Sequence, residues 1–206
     1  YLINILGADH TGYIKRISAA VSALSDKKVT LKCKVCQLVK LYKNGQPFKM
    51  SKRAGDFISA QDLSNKVSKD AIRFMMLNRS NDVELDFDFE KVKEKTKDNP
   101  VFYVQYAYAR INSITRLLKM DLTDKILIQS DTFSPNVYEE KIIRKIFQWP
   151  KIVESAADKL EPHKIPFYLY DLSTLFHSYW SKGNENSNFR FIENGKIKRL
   201  ESLTFI

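Results

Sequence analysis

Three cations fall within five positions at Lys49, Lys52 and Arg53, in the run Phe48-Lys49-Met50-Ser51-Lys52-Arg53-Ala54-Gly55. Clustered cations beside a glycine hinge can close over a polyphosphate and hold the negative charge that moves onto a leaving group. Taken alone, the run also reads as a solvated basic loop. Its flanks fix where it sits. Leu31, Cys33, Val35, Gln37, Val39 and Leu41 alternate with Lys32, Lys34, Lys40 and Tyr42, a half-buried strand pattern. Asn44-Gly45 is a type I′ hairpin signal, and Gln46-Pro47-Phe48 is the return limb. Ser59 and Asp62 form an S-x-x-D capping box that opens a helix. The cations therefore belong to a loop between a hairpin and a helix start.

Two further groups carry chemistry. Gly7-Ala8-Asp9-His10-Thr11-Gly12-Tyr13 follows the apolar run Leu2–Leu6, read as a buried strand. It precedes a helix with Ile14, Ile17, Val21 and Leu24 at helical spacing. Strand, loop and helix make half of a βαβ unit, whose ligands gather beyond the carboxyl ends of the strands. Asp9 can accept from a hydroxyl there, and His10 can stack or donate. A plain turn with a helix cap explains the pair as well. The second group is Tyr103, Tyr106 and Arg110, on a helix that Asn99 caps and Pro100 starts. Val104, Tyr108, Ile111, Thr115 and Leu118 predict its core stripe; Tyr103, Tyr106, Ala107, Arg110, Ile114 and Leu117 form another. Apolar residues on both stripes suit a central helix of a bundle. The tyrosines and arginine can stack and pair with splayed bases. A buried helix with internally satisfied phenols fits the same pattern.

These segments resemble one family. Lys49-Met50-Ser51-Lys52-Arg53 resembles the K-M-S-K-S loop of class I aminoacyl-tRNA synthetases, and its Ala54-Gly55 continuation looks like the arginyl branch. Gly7 to Tyr13 resembles that family's G-x-D-H loop. Asp70-Ala71-Ile72-Arg73 is similar to the D-A-L-R sequence of its anticodon domain. Asp98-Asn99-Pro100-Val101-Phe102-Tyr103-Val104-Gln105-Tyr106-Ala107 looks like the start of the arginyl anticodon-binding domain. The resemblance implies that Lys52 stabilises departing pyrophosphate with Lys49 assisting. It implies that Gly7, Asp9, His10, Met50 and Ser51 contact ATP. It implies that Tyr103, Gln105, Tyr106 and Arg110 contact tRNA. It also implies ATP and Mg²⁺ as requirements and L-arginine and tRNA(Arg) as partners of the whole enzyme. The family's H-I-G-H motif is absent from this sequence. The expectation is a C-terminal portion that forms no arginyl-adenylate by itself. A stand-alone tRNA-binding module without catalysis is the other reading.

Composition agrees with a polyanion partner. The 206 residues carry Lys+Arg 34 against Asp+Glu 24, a formal charge of +10, with 44% hydrophobic residues. No apolar run reaches the ~20 residues a membrane span needs. Cys33 and Cys36 form a C-x-x-C inside the strand pattern, with no second pair to complete a zinc site, and are read as structural thiols in a reducing cytoplasm. Asp82, Glu84, Asp86 and Asp88 alternate with apolar residues, a strand-like edge with solvated acids rather than a metal site. We expect no metal ligands, no membrane partner and a monomer. His177, in Phe176-His177-Ser178-Tyr179, resembles the family's F-H-x-x-Y segment and is read as packed or capping.

The remaining helices are expected from Ser134-Pro135, with a kink or restart at Pro150, and from Ile165 to Tyr179. Residues 119–134 are read as a polar connector and 182–195 as a loop. Ile197, Leu200, Leu203 and Thr204 are read as a further helix. The fold class expected is α/β plus all-α: part of a Rossmann-type catalytic domain at residues 1–85, then a helical anticodon-binding bundle at 86–206.

Overall fold

The computed structural model describes residues 1–48, 58–117, 134–193 and 196–197. The chain forms two compact units, Tyr1–Lys93 and Glu94–Ile206. Among the described residues, no helix is long and apolar enough to cross a membrane.

The first unit begins with β1 (Leu2–Gly7), a 3-10 turn at Ala8–Tyr13, α1 (Ile14–Leu24) and β2 (Leu31–Cys36). β1 and β2 are parallel, with Leu2 opposite Leu31 and Gly7 opposite Cys36. This is the strand, loop and helix expected from the sequence. β1 is not buried, however: Leu2, Ile3 and Ile5 are 52%, 47% and 70% exposed. Parallel strands are apolar because such sheets are covered on both faces. Here, among the described residues, α1 is the helix that packs beside the two-stranded sheet.

The alternating segment after it is two strands, not one. β2 ends at Cys36, and β3 (Val39–Lys43) belongs to a separate sheet of order β4-β3-β5. β4 is Gln46–Pro47 and pairs antiparallel with β3; β5 is Leu85–Asp88 and pairs parallel with it. The break has a local cause: the Gln37 N–H donates to the Asn81 carbonyl, and the Asn81 amide donates to the Val35 carbonyl. At the hairpin both Asn44 (φ 52°) and Gly45 (φ 75°) are left-handed, as a type I′ turn requires. Past it, the Phe48 N–H donates to the Leu41 carbonyl at 2.7 Å and the Phe48 ring meets Phe89 edge-on.

α2 (Ala60–Lys66) starts from the Ser59–Asp62 capping box, and α3 (Lys69–Leu77) from the Ser68 hydroxyl. Of the acids expected to be solvated, Asp88 is buried at 7% exposure. Its carboxylate accepts from the Gly45 N–H at 2.7 Å, the Glu90 N–H at 2.9 Å and the Lys91 N–H at 3.3 Å. It thus ties the hairpin turn to the end of β5.

The second unit is helical: α4 (Pro100–Leu117), α5 (Val137–Ile146), α6 (Trp149–Lys159) and α7 (Lys164–Glu185), then a small hairpin of β6 (Ile192–Glu193) and β7 (Lys196–Ile197). Asn99 caps α4 by accepting from the Val101 N–H. α5 begins at Val137 rather than at Pro135, because Asn136 and Glu139 close a capping box there. α6 is a restart with Pro150 in its first turn. Ala107, Ile142, Phe176, Tyr179 and Phe191 make the core. The predicted core stripe of α4 is displaced: Ala107 and Ile114 are buried, while Tyr108 is 62% exposed. Val104, Tyr108 and Ile111 instead line an apolar cavity of about 620 Å³ shared with α5, α6 and α7.

The predicted loop from Lys182 is helical to Glu185. Gly183 is inside α7, where a Cβ would lie 3.1 Å from the Phe189 carbonyl oxygen and 3.3 Å from the Arg190 Cα. Glycine serves close chain approach there, not a turn. Ile197, read as helical, is in β7. Leu200, Leu203, Thr204 and most of the polar connector lie outside the described residues.

Asp88 generates a prediction. Burial raises its pKa, but three backbone N–H donors and the Lys91 charge outweigh that and hold it below the ordinary carboxylate range. A depressed carboxylate contributes stability above the unfolded value of about 3.9, and that contribution is lost as pH falls through the folded value. Asp88→Asn, which turns one acceptor into a donor facing Gly45, is expected to destabilise the first unit by about 1–3 kcal/mol. It should also flatten the acid limb of its urea midpoint against pH. An unchanged acid limb would contradict this.

Candidate nucleotide and nucleic-acid sites

Each group of candidate residues lies within one unit. In the first, β1 delivers Gly7 to its carboxyl end and the 3-10 turn carries Asp9 and His10. The Thr11 hydroxyl donates to the Ala8 carbonyl at 2.6 Å and closes the turn. A Cβ on Gly7 would lie 2.6 Å from the Asp9 Oδ1, so a larger residue there would displace the Asp9 carboxylate from its present position. Asp9 and His10 are 74% and 56% exposed and face each other at 3.5 Å. The His10 ring lies 5.7 Å from Tyr13. The structure therefore brings Gly7, Asp9 and His10 together as an open acceptor and an open ring at a strand end. That set suits the hydroxyls and flat base of a nucleoside.

Lys49, Met50, Ser51 and Lys52 lie outside the described residues. Both flanks are described: Phe48 is hydrogen-bonded to β3, and Ser59 caps α2.

In the helical unit, Tyr103, Tyr106 and Arg110 share one face of α4, and α7 packs on that face through His177 and Trp180. The Arg110 guanidinium sits 4.2 Å from the Tyr106 ring centroid and 4.8 Å from that of Trp180. One guanidinium nitrogen donates to the Tyr106 hydroxyl at 2.9 Å, the other to His177 Nδ1 at 3.2 Å. His177 Nε2 lies 3.0 Å from the Tyr103 carbonyl oxygen. A guanidinium only donates and a carbonyl only accepts. His177 is therefore neutral, bare at Nδ1 and protonated at Nε2. Burial and the Arg110 charge hold its pKa below the ordinary value, against the Tyr103 carbonyl, which raises it.

Tyr103 is half-buried and packs 4.4 Å from the His177 ring and 5.4 Å from Tyr170, which leaves it less open to a base than Tyr106. Tyr106 is 41% exposed and stacks on Phe102 at 5.5 Å. Gln105 is exposed on another face of α4, at the apolar cavity beside Tyr108. The four predicted nucleic-acid residues thus divide: Tyr106 and Arg110 form one surface, Tyr103 supports it from inside, and Gln105 stands apart. Phe102, Trp180 and His177 belong to the same assembly and were not assigned to it from the sequence. The F-H-x-x-Y segment marked His177, but no local pattern links residues 67 positions apart.

Among the described residues, no carboxylate forms an ion pair with Arg110. Two of its N–H groups serve neutral partners, and the others have no hydrogen-bond acceptor among the described residues. A held cation without a counter-charge is an anion site, and the rings around it suit nucleic acid.

Residues 104–201 match the DALR anticodon binding domain family. The chain is 57% identical over 205 residues to an arginine–tRNA ligase of Pelagibacter ubique, covering 100% of this chain and 36% of that protein. It is 52% identical over 198 residues to the arginine–tRNA ligase of Ruegeria pomeroyi, covering 94% of this chain and 34% of that one. The chain thus spans about a third of the length of these relatives. A crystal structure described as an arginyl-tRNA synthetase from Campylobacter jejuni superposes with a TM-score of 0.80 at 30% identity, over 98% of this chain and 42% of that one. The Thermus thermophilus arginyl-tRNA synthetase shares the fold, with a TM-score of 0.63 at 21% identity over 98% of this chain and 36% of that one.

The neutral state of His177 has a measurable consequence. The charge facing the imidazole is Arg110, and the phenols beside it are Tyr103 and Tyr106. A depressed histidine contributes stability above its unfolded value of about 6.5, lost as pH falls through the folded value. The thermal midpoint of the helical unit is therefore expected to decline below about pH 6.5. His177→Phe should remove that part of the pH slope, whatever it does to the midpoint itself. An equally steep slope in the variant would contradict the assignment.

Proposed function

From the premise that this chain belongs to the arginyl-tRNA synthetase family, as a piece that includes its DALR anticodon-binding domain, we propose that it is part of an arginine–tRNA ligase. The whole enzyme activates L-arginine with ATP and transfers it to tRNA(Arg). This piece supplies a nucleotide loop, a cationic loop and a tRNA-binding surface. The observation that carries the reading is the Arg110 cation, which has no carboxylate partner among the described residues and lies beside Tyr106 and Trp180 within the span that matches the DALR family.

ATP enters as a substrate, and Mg²⁺ neutralises its phosphates when bound. Gly7 lets the turn close tightly, Asp9 accepts from a ribose hydroxyl and His10 lies against the base. Lys52 donates to the departing pyrophosphate, with Lys49 beside it, while Met50 and Ser51 shape the adenine side through backbone contacts. Cations aimed at charge that develops only in the transition state raise the rate rather than the affinity. Tyr106 and Arg110 meet the tRNA, with Gln105 a contact on the adjoining face and Tyr103 supporting from within. Cytoplasmic location and a monomeric state complete the reading.

Two measurements test it. The 206-residue chain is expected to bind a tRNA(Arg) transcript about tenfold or more tightly at 50 mM than at 200 mM salt, because phosphate contacts release counterions. It should support no ATP–pyrophosphate exchange alone. Salt-independent binding, or exchange by the isolated chain, would contradict the proposal. In the intact enzyme, Lys52→Ala should lower aminoacylation by about 10²–10³, with little change in the KM for ATP. Wild-type charging by that variant would remove the cationic loop from the mechanism.

A further inference from the structure

Among the described residues, Arg110 is positioned by neutral groups alone. The Tyr106 and Trp180 rings lie 4.2 Å and 4.8 Å from the guanidinium carbon. The Tyr106 hydroxyl and His177 Nδ1 each accept one of its N–H groups. Of the two acceptors, His177 reaches it from another helix. The imidazole is itself fixed: Nε2–H donates to the Tyr103 carbonyl, and its ring contacts Tyr103 at 4.4 Å, Tyr106 at 5.6 Å and Phe176 at 5.7 Å. It is buried at 6% exposure in the middle of α7. A residue so enclosed cannot itself touch RNA. It can fix the direction of the N–H groups that do.

We propose that His177 is a positioning residue for RNA recognition: its imidazole sets the Arg110 guanidinium between Tyr106 and Trp180, so that the remaining N–H edge meets a tRNA phosphate. The inference rests on the tRNA-binding reading above and adds to it a residue that makes no RNA contact. Two features favour a phosphate over a base. Two rings already lie within 4.8 Å of the guanidinium, at Tyr106 and Trp180, so a base has less room to stack on it than a phosphate has to meet its N–H groups. An uncompensated cation gains most from a full negative charge, and forked N–H donors match phosphate oxygens. Preorganisation adds affinity because a free arginine side chain would lose rotamer freedom on binding, whereas this one has lost it already. A ligand that must accept from Arg110 while donating through its other side is matched by histidine in the tautomer found here. Glutamine keeps an acceptor and a donor of similar reach; phenylalanine keeps the ring and loses both.

The test is a double-mutant cycle in tRNA affinity, using the 206-residue chain and a tRNA(Arg) transcript at two salt concentrations, with each variant checked for native thermal unfolding. His177→Phe is expected to weaken binding about tenfold and to reduce the salt slope by about 1, the signature of one lost phosphate contact. Arg110→Met should do the same. Adding His177→Phe to Arg110→Met should change the affinity less than about twofold, because the imidazole then has no guanidinium to hold. His177→Gln should recover most of the affinity. If the two losses multiply, or if His177→Phe leaves affinity and salt slope unchanged, the proposal is overturned while the tRNA-binding reading stands. If the unsubstituted chain binds no tRNA, that reading fails and takes this proposal with it.

Discussion

The hydrogen bond between Arg110 and His177 ties the two longest helices of the helical unit together. It joins α4 to α7 across 67 residues of chain, fixes the protonation state of the imidazole and holds a cation that has no carboxylate partner among the described residues. Each consequence follows from donor and acceptor rules rather than from proximity alone. A guanidinium has nothing to accept with, so the imidazole must be bare on that side. A backbone carbonyl has nothing to donate, so the imidazole must be protonated on the other. A partly buried charge without a carboxylate partner among the described residues is unfavourable unless something else compensates it, and here two neighbouring rings and the opening to solvent do so. The arrangement is one that a bound anion would complete.

The rest of the bundle serves that arrangement. The hydroxyl of Tyr179, which is 1% exposed, donates to the buried Glu139 at 2.7 Å and accepts from Asn136 at 2.9 Å, which ties the α7 interior to the cap of α5. Phe191 stacks over Phe176 and meets Tyr179 edge-on, and Gly183 lets the chain at Phe189 and Arg190 pass close enough to α7 for this. In the first unit the analogous anchor is Asp88. It holds the Asn44-Gly45 turn that sends the chain through Phe48 toward the cationic segment. In both units a buried acid or imidazole satisfies backbone and side-chain donors that a strand or helix alone would leave open.

What could be read from the sequence was what neighbouring residues determine. The Asn44-Gly45 turn, the Ser59–Asp62 box and the Asn99-Pro100 start are set within a few positions, and the structure has all three. The turn at Gly7 to Tyr13 was legible for the same reason. What escaped was decided by partners far away in the chain. Gly183 looked like turn chemistry because nothing nearby announces that Phe189 and Arg190 press against it. Leu2, Ile3 and Ile5 looked buried because their composition fits a covered parallel sheet, whereas one helix accompanies this strand pair. Asp88 looked like its solvated neighbours at 82, 84 and 86; the Gly45 N–H, 43 positions upstream, joins the Glu90 and Lys91 N–H groups in making it different. Among the candidate contacts, helical spacing put Tyr103, Tyr106 and Arg110 on one face correctly. It could not say that Tyr103 turns inward to His177 while Tyr106 stays open.

The state of the His177 imidazole in solution bears most directly on this account. Nitrogen NMR of the chain labelled at histidine, recorded at neutral pH, reads the two ring nitrogens separately. The account requires Nδ1 in the unprotonated range and Nε2 in the protonated range, with Nδ1 unchanged when tRNA is added. A doubly protonated ring at neutral pH, or the opposite tautomer, would mean that Arg110 does not donate to it, and the guanidinium would lose the support on which the proposed RNA surface depends.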